Sequence, residues 1–269
     1  MIGLGFGNFQ SGVGGFDPDA QAFITAAGIT GETQQAAINQ LVLDLKGTGS
    51  TTNNTDVWND LYALYPFCPI DGSTQTLAGY SYNLVNTATF QVTWFNSPSI
   101  DSAGVTFNGS NQYGDTGFDI STDFLSGMDS GMTLSKVSEL SSGNGSYMGG
   151  FDGSTKIFQL VEAFGDEIGA CNGFANVSFG SFINNINTIV RRSATELEGY
   201  EDGVSIGTNN TNVGTPSSGT ANISLGGRSG SFLKNCKIGG GSAIHKGLPS
   251  NQVVDLYDSI EKFNTALGR

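Results

Sequence analysis

Residues 195–208 read TELEGYEDGVSIGT, and this stretch decides the fold class. Asp202-Gly203 is a two-residue loop of the kind whose backbone twist matches that of two paired antiparallel strands. It joins Glu196–Glu201 to Val204–Thr208 as a hairpin. On both sides, apolar patches with alternating character are separated by Gly, Asn, Ser and Asp. They are Thr89–Phe95, Gly104–Phe107, Met132–Val137, Tyr147–Gly150, Ile157–Phe164, Ala175–Phe179, Asn187–Arg192 and Asn222–Leu225. Short strands with turn signals between them predict an antiparallel two-sheet sandwich over residues 72–269.

Composition agrees with that class. The chain has 269 residues, 40 of them Gly, with 13% charged residues, 18 Phe and 8 Tyr. That is enough length and apolar content for a sizeable core. The net charge of −13 disfavours nucleic acid and anionic membrane as partners, because phosphate binding needs clustered Lys and Arg. Lys46 is the only basic residue before Lys136, so the first half is acidic almost throughout. Cys68, Cys171 and Cys236 are widely spaced, with no CxxC pair, and read as buried thiols. No secretory leader and no apolar run of membrane-spanning length is seen, so synthesis in the cytoplasm is expected.

The ends differ from the middle. Residues 1–15 interleave glycines with Ile2, Leu4, Phe6, Phe9 and Val13. Such a segment forms no autonomous helix or strand cheaply. It is either an arm laid on another surface or a tail without fixed structure. Residues 16–71 read as a helical segment. Asp17 and Pro18 open a first helix with Ala20, Phe23, Ile24 and Ala27 on one face, and Gly28 ends it. Thr30 is the expected cap of a second, with Ala37, Ile38, Leu41, Val42 and Leu45 at helical spacing. Beyond the polar linker Gly47–Thr55, a third helix is expected over Val57, Trp58, Leu61, Leu64 and Tyr65, stopped by Pro66. Ser250–Leu267 reads as a closing helix followed by Gly268.

In order, VTFNGSNQYGDTGF (105–118), MTLSKVSE (132–139), GSYMGGFDGS (145–154), LEGYEDGVSIGT (197–208) and ISLGGRSGSF (223–232) resemble the laminin-G/concanavalin-A-like jelly roll. The helical start, FDPDAQAFITAAGITGETQQAAINQLVLDLKGTG with VWNDLYALYPF (16–67), resembles the opening of a group of bacteriophage virion proteins. The end, GLPSNQVVDLYDSIEKFNTALGR (247–269), resembles the helix that closes the same proteins. The resemblance implies a virion structural protein, multimeric and non-enzymatic, in a head fibre, head decoration, collar or tail appendage. Its expected partners are other virion proteins and copies of itself. Attachment would fall to the N-terminal region, with Ile2, Leu4, Phe6 and Phe9 as the assembly arm.

A retaining glycosidase on this fold places its carboxylates on one face of one strand as ExDxxE. Neither Glu162–Glu167 nor Glu196–Asp202 has that spacing. His245 is the sole histidine, and no GxSxG elbow accompanies it. The Gly-rich Gly3–Gly7 and Gly226-Gly227-Arg228 do not sit between a strand and a helix as a nucleotide loop would. The jelly-roll resemblance admits calcium, for which Asp115, Asp119, Asp152 and Asp166 lie near expected loop ends. The fold also suits host-glycan binding, an alternative function. Tyr113, Asn144, Tyr147 and Phe151 are its candidate residues, since they fall in polar loops; the same aromatics could equally plug the core. A polysaccharide-degrading enzyme is the third and weakest reading.

Overall fold

A computed structural model describes residues 15–124, 129–135, 138–151, 157–163, 166–171, 175–211 and 221–269. The expected arm residues Ile2, Leu4, Phe6 and Phe9 lie outside the described residues, as does Asp152. The chain opens with helices α1 (Pro18–Ala27) and α2 (Glu32–Leu45), then strands β1 (Leu61–Tyr65), β2 (Thr93–Phe95), β3 (Ser99–Asp101) and β4 (Gly104–Asn108). There follow β5 (Tyr113–Asp119), β6 (Ser130–Ser135), β7 (Ser138–Glu139), β8 (Gly145–Phe151) and β9 (Ile157–Ala163). Next come β10 (Asp166–Cys171), β11 (Ala175–Phe179), β12 (Ile186–Ser193), β13 (Glu196–Glu201) and β14 (Val204–Asn209). Strands β15 (Asn222–Leu225), β16 (Asn235–Gly239) and β17 (Ser242–His245) precede helix α3 (Ser250–Ala266).

The strands form a six-stranded sheet (β1-β17-β6-β12-β13-β14), a seven-stranded sheet (β11-β10-β9-β8-β15-β5-β2) and a four-stranded sheet (β3-β4-β16-β7). The chain is mostly β, with antiparallel pairing, and is a jelly-roll sandwich of the expected class. One core lies between the sheets, where Met132, Leu134, Ile189 and Leu197 meet Met148, Phe158, Leu160 and Leu225. A second core lies on the other face of the six-stranded sheet. There Leu61, Leu64, Val190 and Ala243 pack under Phe23, Ile38, Leu41, Leu256, Ile260 and Phe263 of the helices. The molecule is thus layered as helices, sheet, sheet. The central sheet is buried on both faces along β1, β17, β6 and β12, while its edge strand β14 is largely exposed.

That double burial corrects one expectation. Residues 56–65 are not a helix: a 3-10 turn at Trp58–Asp60 leads into strand β1. Leu61 and Leu64 face the helices while Ala63 and Tyr65 face the other core, and Ala63 to Tyr65 register with Ile244 to Ser242. A short continuous apolar run fits a buried strand and a helix equally well by periodicity, and tertiary pairing settled it. The sandwich therefore begins at β1, ahead of the expected boundary at residues 71/72. Helix α2 is also capped differently. Gly31 is its N-cap, and the Thr30 amide instead donates to the Ile70 carbonyl.

Other local signals hold. The Asp17 carboxylate caps α1 through the Asp19 amide, Pro18 is the first helical residue, and Gly28 closes the helix in the left-handed region. In the β13–β14 hairpin, Asp202 and Gly203 have φ of 48° and 76°, the doubly left-handed turn the sequence predicts. Strand β2 covers only the end of the expected Thr89–Phe95. Strands β3, β5, β7, β10, β16 and β17 were not among the expected strands; β10 and β17 carry Gly, Ser or His where β propensity is weak. Cys68 and Cys236 are buried free thiols, and burial pushes the Cys68 thiol up to about 12.

Candidate functional site

The outer face of the seven-stranded sheet carries a band of aromatic side chains around one arginine. Strands β2 and β5 pair so that Phe95 faces Tyr113, and their rings stack with centroids 4.4 Å apart at 8°. Phe95 is 36% exposed. Next to β5 lies β15, and after Leu225 the chain turns back over the sheet instead of leaving it. Arg228 and Ser231 exchange backbone hydrogen bonds of 2.7 and 2.8 Å around Ser229-Gly230, whose φ values are 45° and 69°. This is the same doubly left-handed hairpin turn as at Asp202-Gly203, and glycine suits its second position.

The turn is pinned to the sheet. The Ser229 amide donates to the Gly149 carbonyl and the Gly230 amide to Ser224 Oγ. Ser229 Oγ accepts from the Phe151 amide at 2.9 Å and donates to the Asn222 carbonyl at 3.1 Å. Gly230 lies so close to Tyr113 that a Cβ would stand 2.9 Å from its ring. On the other side of the turn, the Arg228 guanidinium lies 4.4 Å from the ring centre of Phe151 and 5.0 Å from that of Phe232. Its Nη1 reaches Gln159 Oε1 at 3.4 Å, and its buried Nε has no hydrogen-bond partner. Burial pulls Arg228 below the ordinary guanidinium value, and no carboxylate among the described residues offsets it. The result is a cation packed against two rings, beside a separate aromatic stack.

Two of the four candidate residues are here. Tyr113 and Phe151 belong to the band. Tyr147 is fully buried, edge-on to Phe182 with Lys234 Nζ 5.3 Å from its ring centre, so it presents no face to a ligand. Asn144 is exposed but sits beyond the opposite end of β8 from Phe151. Phe95, Gln159, Arg228 and Phe232 were missed. A lone Arg framed by glycines and followed by Phe, in a chain of eleven basic residues, was the available signal.

The carboxylates are committed elsewhere. Glu196 and Glu198 both pair with Arg192, and Glu198 also accepts from Tyr200 and Ser205. That pairing outweighs burial and holds Glu198 below the usual carboxylate range. Glu139 and Glu162 enclose the buried Lys234 ammonium, and Lys234 likewise holds Glu162 low. A glycosidase acid needs the opposite shift. His245 is buried between strands. Its Nδ1 donates to the Lys246 carbonyl at 2.6 Å, so Nε2 accepts from Thr133 Oγ1 at 3.1 Å. Of the calcium candidates, Asp115 accepts from the Gly117 amide and Asn222, and Asp119 from Ser121 and the Ala221 amide. Asp166 opens β10. Among the described residues no three Asp, Glu, His or Cys side chains gather as a metal would need.

No family model matches the chain, and no curated protein matches it. Solved structures do. A Trypanosoma rangeli sialidase mutant displaying trans-sialidase activity aligns with TM-score 0.56 and 12% identity over 86% of this chain and 38% of that one. The same organism's sialidase in complex with 2,3-difluoro-KDN gives TM-score 0.52 and 12% identity, over 74% of this chain and 32% of that one. The botulinum neurotoxin serotype D binding domain aligns with TM-score 0.51 and 10% identity over 76% of this chain and 53% of that one. This chain spans about a third of the sialidase it matches, 32% of its length. At such identities the likeness is one of fold.

Proposed function

We propose that the chain is a non-enzymatic structural component of a bacteriophage particle, displaying its sandwich at the surface. The observation that carries this reading is the meeting of the two terminal motifs that resemble virion proteins. The last residue, Arg269, donates to the carbonyls of Pro66 (3.3 Å) and Phe67 (2.6 Å), which end the YPF of the opening motif. Helices α2 and α3 pack side by side on the six-stranded sheet. Two segments about 200 residues apart thus form one layer. One face of residues 16–67 packs on the chain's own sandwich, and attachment falls to the N-terminal region, with residues 1–15 as the proposed arm. The paired state of Glu162, Glu196 and Glu198 supports a non-catalytic role. Antibody raised against the chain should decorate density-purified particles; particles that never carry it would sink the proposal.

A second reading concerns what the displayed face does. The exposed Phe95–Tyr113 stack favours glycan recognition, since flat aromatic surface suits the apolar face of a sugar ring. An array of host-type glycans should show binding that Phe95→Ala weakens. A blank array would remove this reading while leaving the particle assignment standing.

A further inference from the structure

We propose that the Phe95, Tyr113, Arg228, Phe151 and Phe232 band binds an oligosaccharide bearing one carboxylate, with Arg228 as the group that takes the carboxylate. The inference rests on the glycan reading of this face and adds the ligand's chemical class.

Three observations point to a ligand rather than to packing alone. The Arg228 guanidinium carbon lies over two aromatic rings, 4.4 Å from the centre of Phe151 and 5.0 Å from that of Phe232, and neither ring supplies a hydrogen-bond acceptor. Among the described residues only Nη1 of its nitrogens has a protein acceptor, and that acceptor, Gln159 Oε1, is distant at 3.4 Å. No acidic side chain among the described residues pairs with it, whereas the semi-buried cations Lys46, Arg192, Lys234 and Lys246 all have carboxylate partners. A partly desolvated guanidinium without an anion costs stability. An arriving carboxylate would accept paired N–H groups from the Nη edge and offset that cost.

The rest of the band suits a sugar. Phe95 and Tyr113 lie across the Ser229-Gly230 turn from Arg228, on the same outer face. A pyranose stacked on Phe95 leaves a neighbouring residue of the oligosaccharide to reach the guanidinium. The backbone hydrogen bonds that pin the turn fix both ends of the band before any ligand arrives, which reduces the ordering cost of binding. The net charge of −13 bears on the ligand's charge. A densely charged polyanion would be repelled at long range, so a mostly neutral glycan with a single acid fits better.

Titration calorimetry on the full chain tests this with two acidic probes, 3′-sialyllactose and aldotetrauronic acid. Their neutral counterparts are lactose and xylotetraose. The acidic member of at least one pair should bind about tenfold or more tighter than the neutral one, the increment expected of a paired charge-assisted contact. Arg228→Met, which keeps the fill against the two rings, should erase that preference and leave the thermal midpoint unchanged or higher. Phe95→Ala should weaken acidic and neutral ligands by similar factors. Equal binding of acidic and neutral sugars by the wild type, or a preference that survives in a folded R228M variant, would overturn the inference while sparing the glycan reading. A wild type that binds none of the four sugars overturns both. Retention of the preference in the wild type and its loss in R228M distinguishes sialic from uronic acid by which pair shows it.

Discussion

Individual residues set limits that experiment can reach directly. His245 is fully buried, and burial pulls its pKa from 6.5 to about 4. The unfolded chain takes up a proton near pH 6.5 that the folded chain refuses until about pH 4. Stability from this group is therefore complete above pH 6.5 and falls as the pH drops towards 4. The loss amounts to about 3 kcal/mol by linkage. Denaturant titrations at steps between pH 7 and 4 should show that decline, and His245→Gln should flatten it; a slope unaltered in a folded variant would refute the assignment. Arg269 offers a second case. Truncating it to Ala leaves the Pro66 and Phe67 carbonyls without their donors, at an expected cost of about 2 kcal/mol. Urea unfolding would measure it, and a midpoint equal to wild type would show that the contact contributes nothing.

Among the elements, the linker between α2 and β1 depends on α3. Asp255 accepts hydrogen bonds from the amides of Asn53 and Thr55 and from Thr55 Oγ1, and Asp258 accepts from the Thr52 amide and hydroxyl. Burial alone would raise the Asp255 pKa, but these donors hold it below the usual range. Asp255→Ala should destabilise the protein by about 2–3 kcal/mol, as expected when several charge-assisted hydrogen bonds are lost together. It should also open residues 50–55 to proteolysis; an uncut loop would contradict the clamp. At the β13–β14 turn, Gly203 has φ of 76°, and a Cβ there would come within 3.1 Å of Tyr257. Gly203→Val should cost more than the roughly 1 kcal/mol typical of a left-handed residue replaced in open space, measurable by thermal unfolding.

Elements were legible where a local signal was strong. The Asp17-Pro18 start of α1, the Asp202-Gly203 turn and the closing helix are each dictated by backbone preference within a few residues. β1 was not. LYALY is apolar throughout because both its faces are covered, and only its pairing with β17 distinguishes strand from helix. The candidate site was half legible for a similar reason. Tyr113 and Phe151 stood out as loop aromatics, but nothing local told Tyr147, which the core absorbs, from Phe151, which it leaves beside Arg228.

At the scale of the whole molecule, the helices are a structural layer over the sandwich. Leu256, Ile260 and Phe263 of α3 cover the six-stranded sheet together with α1 and α2. Deleting residues 250–269 would bare that apolar face, so the truncated chain should lose its cooperative unfolding transition and aggregate. A soluble, cooperatively folding truncation would show the sandwich to be self-sufficient. Among the described residues no helix is long and apolar enough to cross a membrane.

What the sequence by itself determined was the class of the protein: short strands, hairpin turns, helical ends and an acidic surface. These follow from backbone preference and hydrophobic period, which act over a few residues. What only the tertiary structure decided was which distant segments meet. The 226–232 turn folds back onto the sheet and seats Arg228 against Phe151 and Phe232, 77 and 4 positions away in the chain. The last residue closes on Pro66 and Phe67. Such contacts depend on strand order and on which face each strand buries, and no local pattern encodes either.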